Sequence, residues 1–322
     1  MPYRLFSCFF QRKQSAEALI PAYCSSPVLD YLSFLTPVDL VIPMSTAKKF
    51  IRKFKDEKTL PHVMTSLSGL IADENSTMKD FEDVIKMDPT LVVRLLRLVN
   101  SPFYGLSQRV DSISRAVAYL GMKNLHNMAV TDALKGIFKE KVTPRIFSRE
   151  KLWLHSAAVS ICAKMIAERI FEANGDDAYL CGILHDFGLI VESQVEPEKF
   201  FSACENCGEG CRITDLEQEY LGTDHCQIGY LLTVDWEMPE AIQIAIRDHH
   251  LESGDYAPDS LTGIIQIAEY ITGQLGHTAF GNTGTELPEH LISHMQENMD
   301  EYKVLIEDLP EEMSNAQDLY GG

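Results

Sequence analysis

Five of the ten histidines in this 322-residue chain stand where helical spacing turns them inward. His155 shares a face with Ala158, Val159, Cys162 and Ile166, and His225 with Ile228, Gly229 and Leu232. His185 and Asp186 lie side by side in the apolar run CGILHDFGL. Ile242, Ala245, Ile246 and His249 form one stripe, with His250 four residues after Ile246. A single inward histidine is usually a core residue with one hydrogen-bond partner. Five beside a carboxylate would each need compensation once buried, and a cation shared between helices would compensate them together. Neutral imidazoles suit borderline transition metals, and a carboxylate can bridge two ions. The expected ligands are therefore His155, His185, Asp186, His225, His249 and His250, around one or two ions of iron, manganese, nickel or zinc. Glu269, in IIQIAEYIT, borders the stripe Leu261, Ile264, Ile265, Ala268 and Ile271. It also has Gln266 and Thr272 as face neighbours, so it reads equally as a further ligand or as a solvated residue. A working metal site, a metal site without chemistry, and a set of core polar groups all remain open.

A second cluster is CENCGEGC, with Cys204, Cys207 and Cys211. Closely spaced thiolates can hold zinc or an iron–sulfur cluster, with Cys226 one candidate for a fourth ligand. The plainer reading is a loop of free thiols between the helices of His185 and His225, and that is the expectation.

These groups must be carried by helices. In MDPTLVVRLLRLVNSPFYG, Asp88 is placed to cap a helix and Pro89 to open it. Leu91, Leu95, Leu98 and Val99 recur at helical spacing, and Asn100-Ser101-Pro102 stops the run. SPFYG is expected to form a packed corner, with Phe103 and Tyr104 largely buried. DSISRAVAYLG repeats the pattern, with Gly121 as C-cap. No useful stretch alternates with period two, so the chain reads as all-α. Residues 1–46 are an N-terminal extension, 47–146 and 147–280 two packed helical subdomains meeting near Thr143-Pro144, and 281–322 one acidic helix with a loose end.

Charge narrows the partners. Lys+Arg 28 against Asp+Glu 47 leaves a net charge of −19, which disfavours nucleic acid. The one dense basic run, KKFIRKFK from Lys48 to Lys55, reads as a solvated helix face. No run of about 18 apolar residues is present, and MPYRLFSCFFQRKQ has too short an apolar patch for a secretory signal. A cytoplasmic location, with no membrane partner and with thiols rather than disulfides, is expected.

The order His155, His185-Asp186, His225, His249-His250, then a carboxylate, resembles the HD superfamily of metal-dependent phosphohydrolases, and within it the HDOD output domain. LPHVMTSLSGLI, IKMDPTLVVRLLRLVNSPFYG, VDSISRAVAYLGMKNL, CGILHDFGLIV and EQEYLGTDHCQIGYLLTVDWEMPEAIQIAIRDHH carry the likeness, over about residues 58 to 252 and more loosely to about 275. The resemblance implies a two-part helical domain of bacterial signal transduction, its second part HD-like, with a signalling protein as partner. A small phosphorylated ligand is a further candidate. HDOD domains are held to be non-catalytic, whereas the similar HD-GYP enzymes hydrolyse cyclic di-GMP at a two- or three-metal centre. Here Leu189 stands where the hydrolase pattern His-Asp-x-Gly-Lys has its lysine. LESGDYAPDS follows His250 in place of Asp-Gly-x-Gly-Tyr-Pro, and Lys151 stands where some of those enzymes place a metal-binding glutamate. Phosphodiester hydrolysis needs a metal-bound hydroxide and groups that neutralise developing charge; holding a metal needs neither the lysine nor the loop. The expectation is a signalling output module that retains a transition-metal site. The alternative is a phosphohydrolase acting on cyclic dinucleotides or nucleotides, with Asp186 as its catalytic residue.

Overall fold

The computed structural model describes residues 41–57, 62–73, 75–87, 89–138, 147–208, 211–252, 255–280 and 287–316. The cap expected at Asp88, the side chain of Phe103, the junction at Thr143-Pro144, most of the N-terminal extension and the end of the tail lie outside the described residues. No strand occurs among those described, so the fold is all-α, as the periodicity predicts. None of their helices is long and apolar enough to cross a membrane.

The first helices are α1 (Val41–Glu57), α2 (His62–Ala72), α3 (Met78–Lys86), α4 (Pro89–Val99) and α5 (Ile113–Phe138). α1 buries Ala47, Phe50, Ile51 and Phe54 while Lys48, Lys49 and Lys55 stay exposed, so the basic run is the wet side of an amphipathic helix. Thr77 and Asp80 close a reciprocal capping box at the start of α3. α4 begins at Pro89 and buries Leu91, Leu95, Leu98 and Val99. Asn100 ends it: its side-chain amide donates to Leu96 O and Val110 O at 2.6 and 2.8 Å, and its oxygen accepts from Val110 N at 2.8 Å. The corner Pro102–Tyr104 is one 3-10 turn closed by Gly105 at φ 54°. Tyr104 is half-buried there, less than expected, because it lines a surface cleft with Ile161, Lys164, Met165 and Glu312. Gly121, expected to cap, takes φ 79° and bends α5, but a second helical segment follows at once.

The site-bearing helices are α6 (Arg149–Arg169), α7 (Asp176–Leu184), α8 (Phe187–Val195), α9 (Pro197–Asn206), α10 (Ile213–Leu221), α11 (His225–Asp235), α12 (Glu240–Asp248) and α13 (Leu261–Gln274). α6 is buried over most of its length and packs against α7 and α13. Ser148, Asp224 and Ser260 cap α6, α11 and α13 through their side chains. α1 packs on α8 and α11, and Lys53 donates to Val195 O at 2.7 Å.

The tail differs from the single helix expected. It forms α14 (Glu289–Glu297) and α15 (Met299–Asn315), broken at Asn298. α15 packs on α6, burying Tyr302, Leu305 and Leu309. Its acidic outer side answers Arg169, which donates to Asp308 at 2.7 Å and to Glu312 at 2.6 Å. The acidic composition of this segment hides an apolar stripe that only packing reveals.

Candidate metal centre

His185 closes α7 and Asp186 opens α8, so the dipeptide sits on a sharp bend between two short helices. Flanking glycines let this bend press into its surroundings. A Cβ at Gly182 would stand 2.5 Å from Ser160 Cα, and one at Gly188 would stand 2.1 Å from His225 O. α7 thereby lies against α6, and the start of α8 against the start of α11.

Asp186 is the hub. Its Oδ2 lies 3.4 Å from His155 Nε2 and 3.3 Å from His185 Nε2; its Oδ1 lies 3.4 Å from His225 Nε2 and 3.6 Å from His249 Nε2. His155 comes from α6, His225 from α11, and His249 caps the end of α12. All four histidines and Asp186 are buried. His250, next along the chain, is half-buried, with Nδ1 3.9 Å from Glu269 Oε1. Three groups of potential ligand atoms, each within 4.8 Å of one another, result: Asp186, His225, His249 and His250; His155, His185 and Asp186; His185, His249 and Glu269. All seven sequence candidates therefore converge. Glu269, for which a solvated role was equally open, is buried on α13.

The outer ring nitrogens define the inner ones. Nδ1 of His155, His185 and His249 each faces a backbone carbonyl at 2.8 Å, of His277, Gly182 and Ile246. His225 Nδ1 faces Glu217 Oε2 at 2.7 Å, and the same oxygen accepts the His225 amide at 3.1 Å. The three carbonyls can only accept, and Glu217 Oε2 already accepts the His225 amide, so each Nδ1 donates and each ring, when neutral, presents a bare Nε2 lone pair toward Asp186. His155 Nε2 and His185 Nε2 are 3.2 Å apart, and His249 Nε2 makes no hydrogen bond. Two facing lone pairs in a dry interior are repulsive unless a proton or a cation lies between them. Outward Nδ1 bonds to carbonyls and a carboxylate are also how proteins orient histidines on metals. The residues present fit one or two transition-metal ions.

Burial opposes a charge on His155, His225 and His249, yet neighbouring Asp186, Cys226 and Glu217 raise their affinity for a proton, so the cluster draws in positive charge, as protons or as a metal ion. Burial opposes the charge on Asp186, yet protons placed on the facing rings of His185, His155 and His249 would hold its carboxyl well below the usual range, so where no cation lies among the Nε2 atoms protons take its place. Burial pushes His250 down to about 3 against the pull of Glu269, leaving it neutral, as a ligand must be.

Glu217 and Cys226 were not identified in this role from sequence. Glu217 lies eight residues before His225, a spacing that signals nothing until α10 and α11 fold together. Cys226 Sγ lies 3.5 Å from His225 Nε2. Leu189 is buried on α8 and Lys151 is exposed on α6. The clustered cysteines are not all on a loop: Cys204 is buried within α9, Cys207 ends that helix, and α9 and α10 both intervene between the helices of His185 and His225. Cys207 and Cys211 donate to backbone carbonyls at 3.6 and 3.7 Å, and all three are free thiols. Among the described residues, no converging ligand group contains any of the three.

This helical arrangement and ligand order have relatives. The sequence pattern described as the HDOD domain matches residues 58–252. The chain belongs to the HDOD family. An uncharacterized protein of Treponema pallidum (strain Nichols) is 25% identical over 270 residues, covering 80% of this HDOD chain and 50% of that protein. The chain thus spans about half the length of the curated relative it matches. Among solved structures, an HDOD domain protein with unknown function from Geobacter sulfurreducens superposes with TM-score 0.59 at 23% identity, covering 84% of this chain and 99% of that one. A candidate signal transduction protein from Marinobacter aquaeolei VT8 gives TM-score 0.69 at 22% identity, covering 88% and 66%. A candidate metal-dependent phosphohydrolase from Shewanella amazonensis SB2B gives 0.54 at 17%, covering 86% and 99%. At these identities the likeness establishes the shared HDOD fold.

Proposed function

We propose that this HDOD protein is a signal-transduction output module that acts through contacts with a protein partner and holds one or two transition-metal ions at the Asp186 centre. The observation that carries the metal is the set of four buried imidazoles whose Nδ1 atoms all donate outward, leaving bare Nε2 atoms around one carboxylate. When bound, the metal would supply a fixed positive charge that ties α6, α8, α11, α12 and α13 together. His155, His185, Asp186, His225, His249, His250 and Glu269 would hold it, with iron, manganese, nickel or zinc all suited to such nitrogen and oxygen donors. Glu217 would keep the His225 ring in register. The names of the Marinobacter and Shewanella proteins support signalling and metal dependence respectively, by fold alone.

The second reading is a phosphohydrolase acting on cyclic dinucleotides or nucleotides. Against it stands Leu189, whose apolar side chain offers no charge to a phosphodiester where the similar hydrolases use lysine. The two-part division, 47–146 and 147–280, is proposed for either reading, with α1 packing on α8 and α11. Elemental analysis of purified protein beside a cyclic di-GMP phosphodiesterase assay tests both readings. Bound metal without turnover is expected. Turnover near ordinary enzymatic rates, about 1 per second or more, would overturn the signalling reading. No metal after aerobic and anaerobic loading would overturn the metal centre.

A further inference from the structure

Cys226 is the second residue of α11, directly after His225. It is buried, and its Sγ lies 3.5 Å from His225 Nε2. That nitrogen is the bare lone pair of its ring, because the ring's proton sits on Nδ1 and is donated in a hydrogen bond to Glu217. The thiol also borders His249. His249 Nε2 is buried and makes no hydrogen bond. The sulfur stands outside the group formed by Asp186, His225, His249 and His250, but beside two of its members. Two ligands on one tetrahedral ion, nitrogen at about 2.1 Å and sulfur at about 2.3 Å, are about 3.6 Å apart. The observed 3.5 Å separation matches that geometry as well as it matches a weak S–H hydrogen bond.

We propose that Cys226 binds the metal as a thiolate at the His225–His249 end of the centre, making that position a mixed sulfur and nitrogen site. The inference rests on the metal reading above. On binding, the S–H proton leaves to solvent as the metal–sulfur bond forms, so no oxidant or reductant is needed. The consequence is selectivity. Imidazole and carboxylate alone suit manganese as well as iron, nickel or zinc, whereas a thiolate favours the softer ions and disfavours manganese and magnesium.

The test loads the metal-stripped full chain with Co(II) under anaerobic conditions and records its absorption, beside X-ray absorption of the zinc-loaded chain. The wild type is expected to show visible ligand-field bands together with a near-ultraviolet thiolate-to-cobalt charge-transfer band. Cys226→Ser and Cys226→Ala should lose the charge-transfer band while keeping the visible bands. The zinc-loaded wild type should show one sulfur neighbour at about 2.3 Å, a measurement that needs no variant to fold. In competition, the wild type should prefer zinc to manganese more strongly than Cys226→Ser does. Ligand-field bands without charge transfer in the wild type, or charge transfer that persists in Cys226→Ser, would overturn the thiolate and leave the metal centre standing. Failure to bind cobalt or zinc at all would overturn both.

Discussion

Asp186 presents one oxygen to His155 and His185 and the other to His225 and His249, so its removal unties two pairs of ligands at once. Asp186→Ala is expected to abolish stable metal loading and to lower thermal stability, read by elemental analysis and calorimetry, while leaving little catalysis to lose. Glu217 acts one bond further out, through the Nδ1 of His225. Glu217→Ala strands that proton donor in a dry interior and should weaken metal affinity about 10–100-fold, the usual effect of removing the group that orients a ligand. Glu217→Gln keeps an acceptor oxygen at the same place and should stay close to wild type. Equal losses in the two variants, in a zinc titration, would show that charge rather than orientation is what His225 needs.

Glycines set the approach of the site-bearing helices. A methyl at Gly188 would meet the His225 carbonyl carbon at 2.7 Å as well as its oxygen, and both belong to rigid backbone. At Gly229 the close neighbour is Ile246 Cγ2 at 2.8 Å, a side-chain methyl rather than backbone, and at Gly273 nothing lies within 4 Å. Overpacking costs about 1–3 kcal/mol and occasionally more. Gly188→Ala should therefore exceed that range or fail to fold, and Gly229→Ala should fall within it. Gly273→Ala should stabilise by about 0.4–1 kcal/mol, the order to be checked by denaturant unfolding. A second element-scale device joins α2, α5 and α7. His126 takes a hydrogen bond from Ser68 at Nε2 and gives one to Asn127 at Nδ1, both 3.0 Å, while Asn127 donates to Asp176 O. Burial lowers the affinity of His126 for a proton against the pull of Asn127. The unfolded chain therefore takes up that proton first as pH falls below about 6.5, the ordinary histidine value. Stability from the neutral ring is present above that pH and is lost on acidification, by at most about 1.4 kcal/mol per pH unit. His126→Gln should flatten that part of the stability curve, read by urea unfolding at pH 7.5 and 5.5.

At the scale of the whole molecule, the proposed metal centre and the C-terminal helices both bear on α6. An ion held between α6, α8, α11, α12 and α13 binds only the folded arrangement, so free metal at about 100 times its Kd should add about 2.7 kcal/mol. Chelation should lower Tm and metal return should restore it; a Tm insensitive to both would remove the structural role of the ion. Leu309, buried where α15 meets α6, should cost about 2–5 kcal/mol when cut to Ala, and a loss well below that would show α15 to be a loosely held appendage.

The helices, their apolar stripes and the inward placing of six candidate ligands were legible in the sequence, because a helix repeats every 3.6 residues and side-chain direction is local information. The histidine order and the Asn-Ser-Pro and Gly-Thr-Asp-His segments carried the family for the same reason: each is readable within one short stretch. What required tertiary structure is whatever depends on which helix faces which. Glu269 could stand in water or in the core until α13 packed on α6. Glu217 became a partner of His225 only when α10 folded back on α11, and Cys226 became a neighbour of the centre only when the Nε2 of His225 turned toward it. The acidic tail reads as one helix with a loose end and shows no docking site until Leu305 and Leu309 find α6, and the basic run of α1 shows no destination until Lys53 meets Val195. Composition and spacing set each face of each helix; the contacts between faces far apart in the chain are decided by packing, where shape and buried polar groups must be satisfied together.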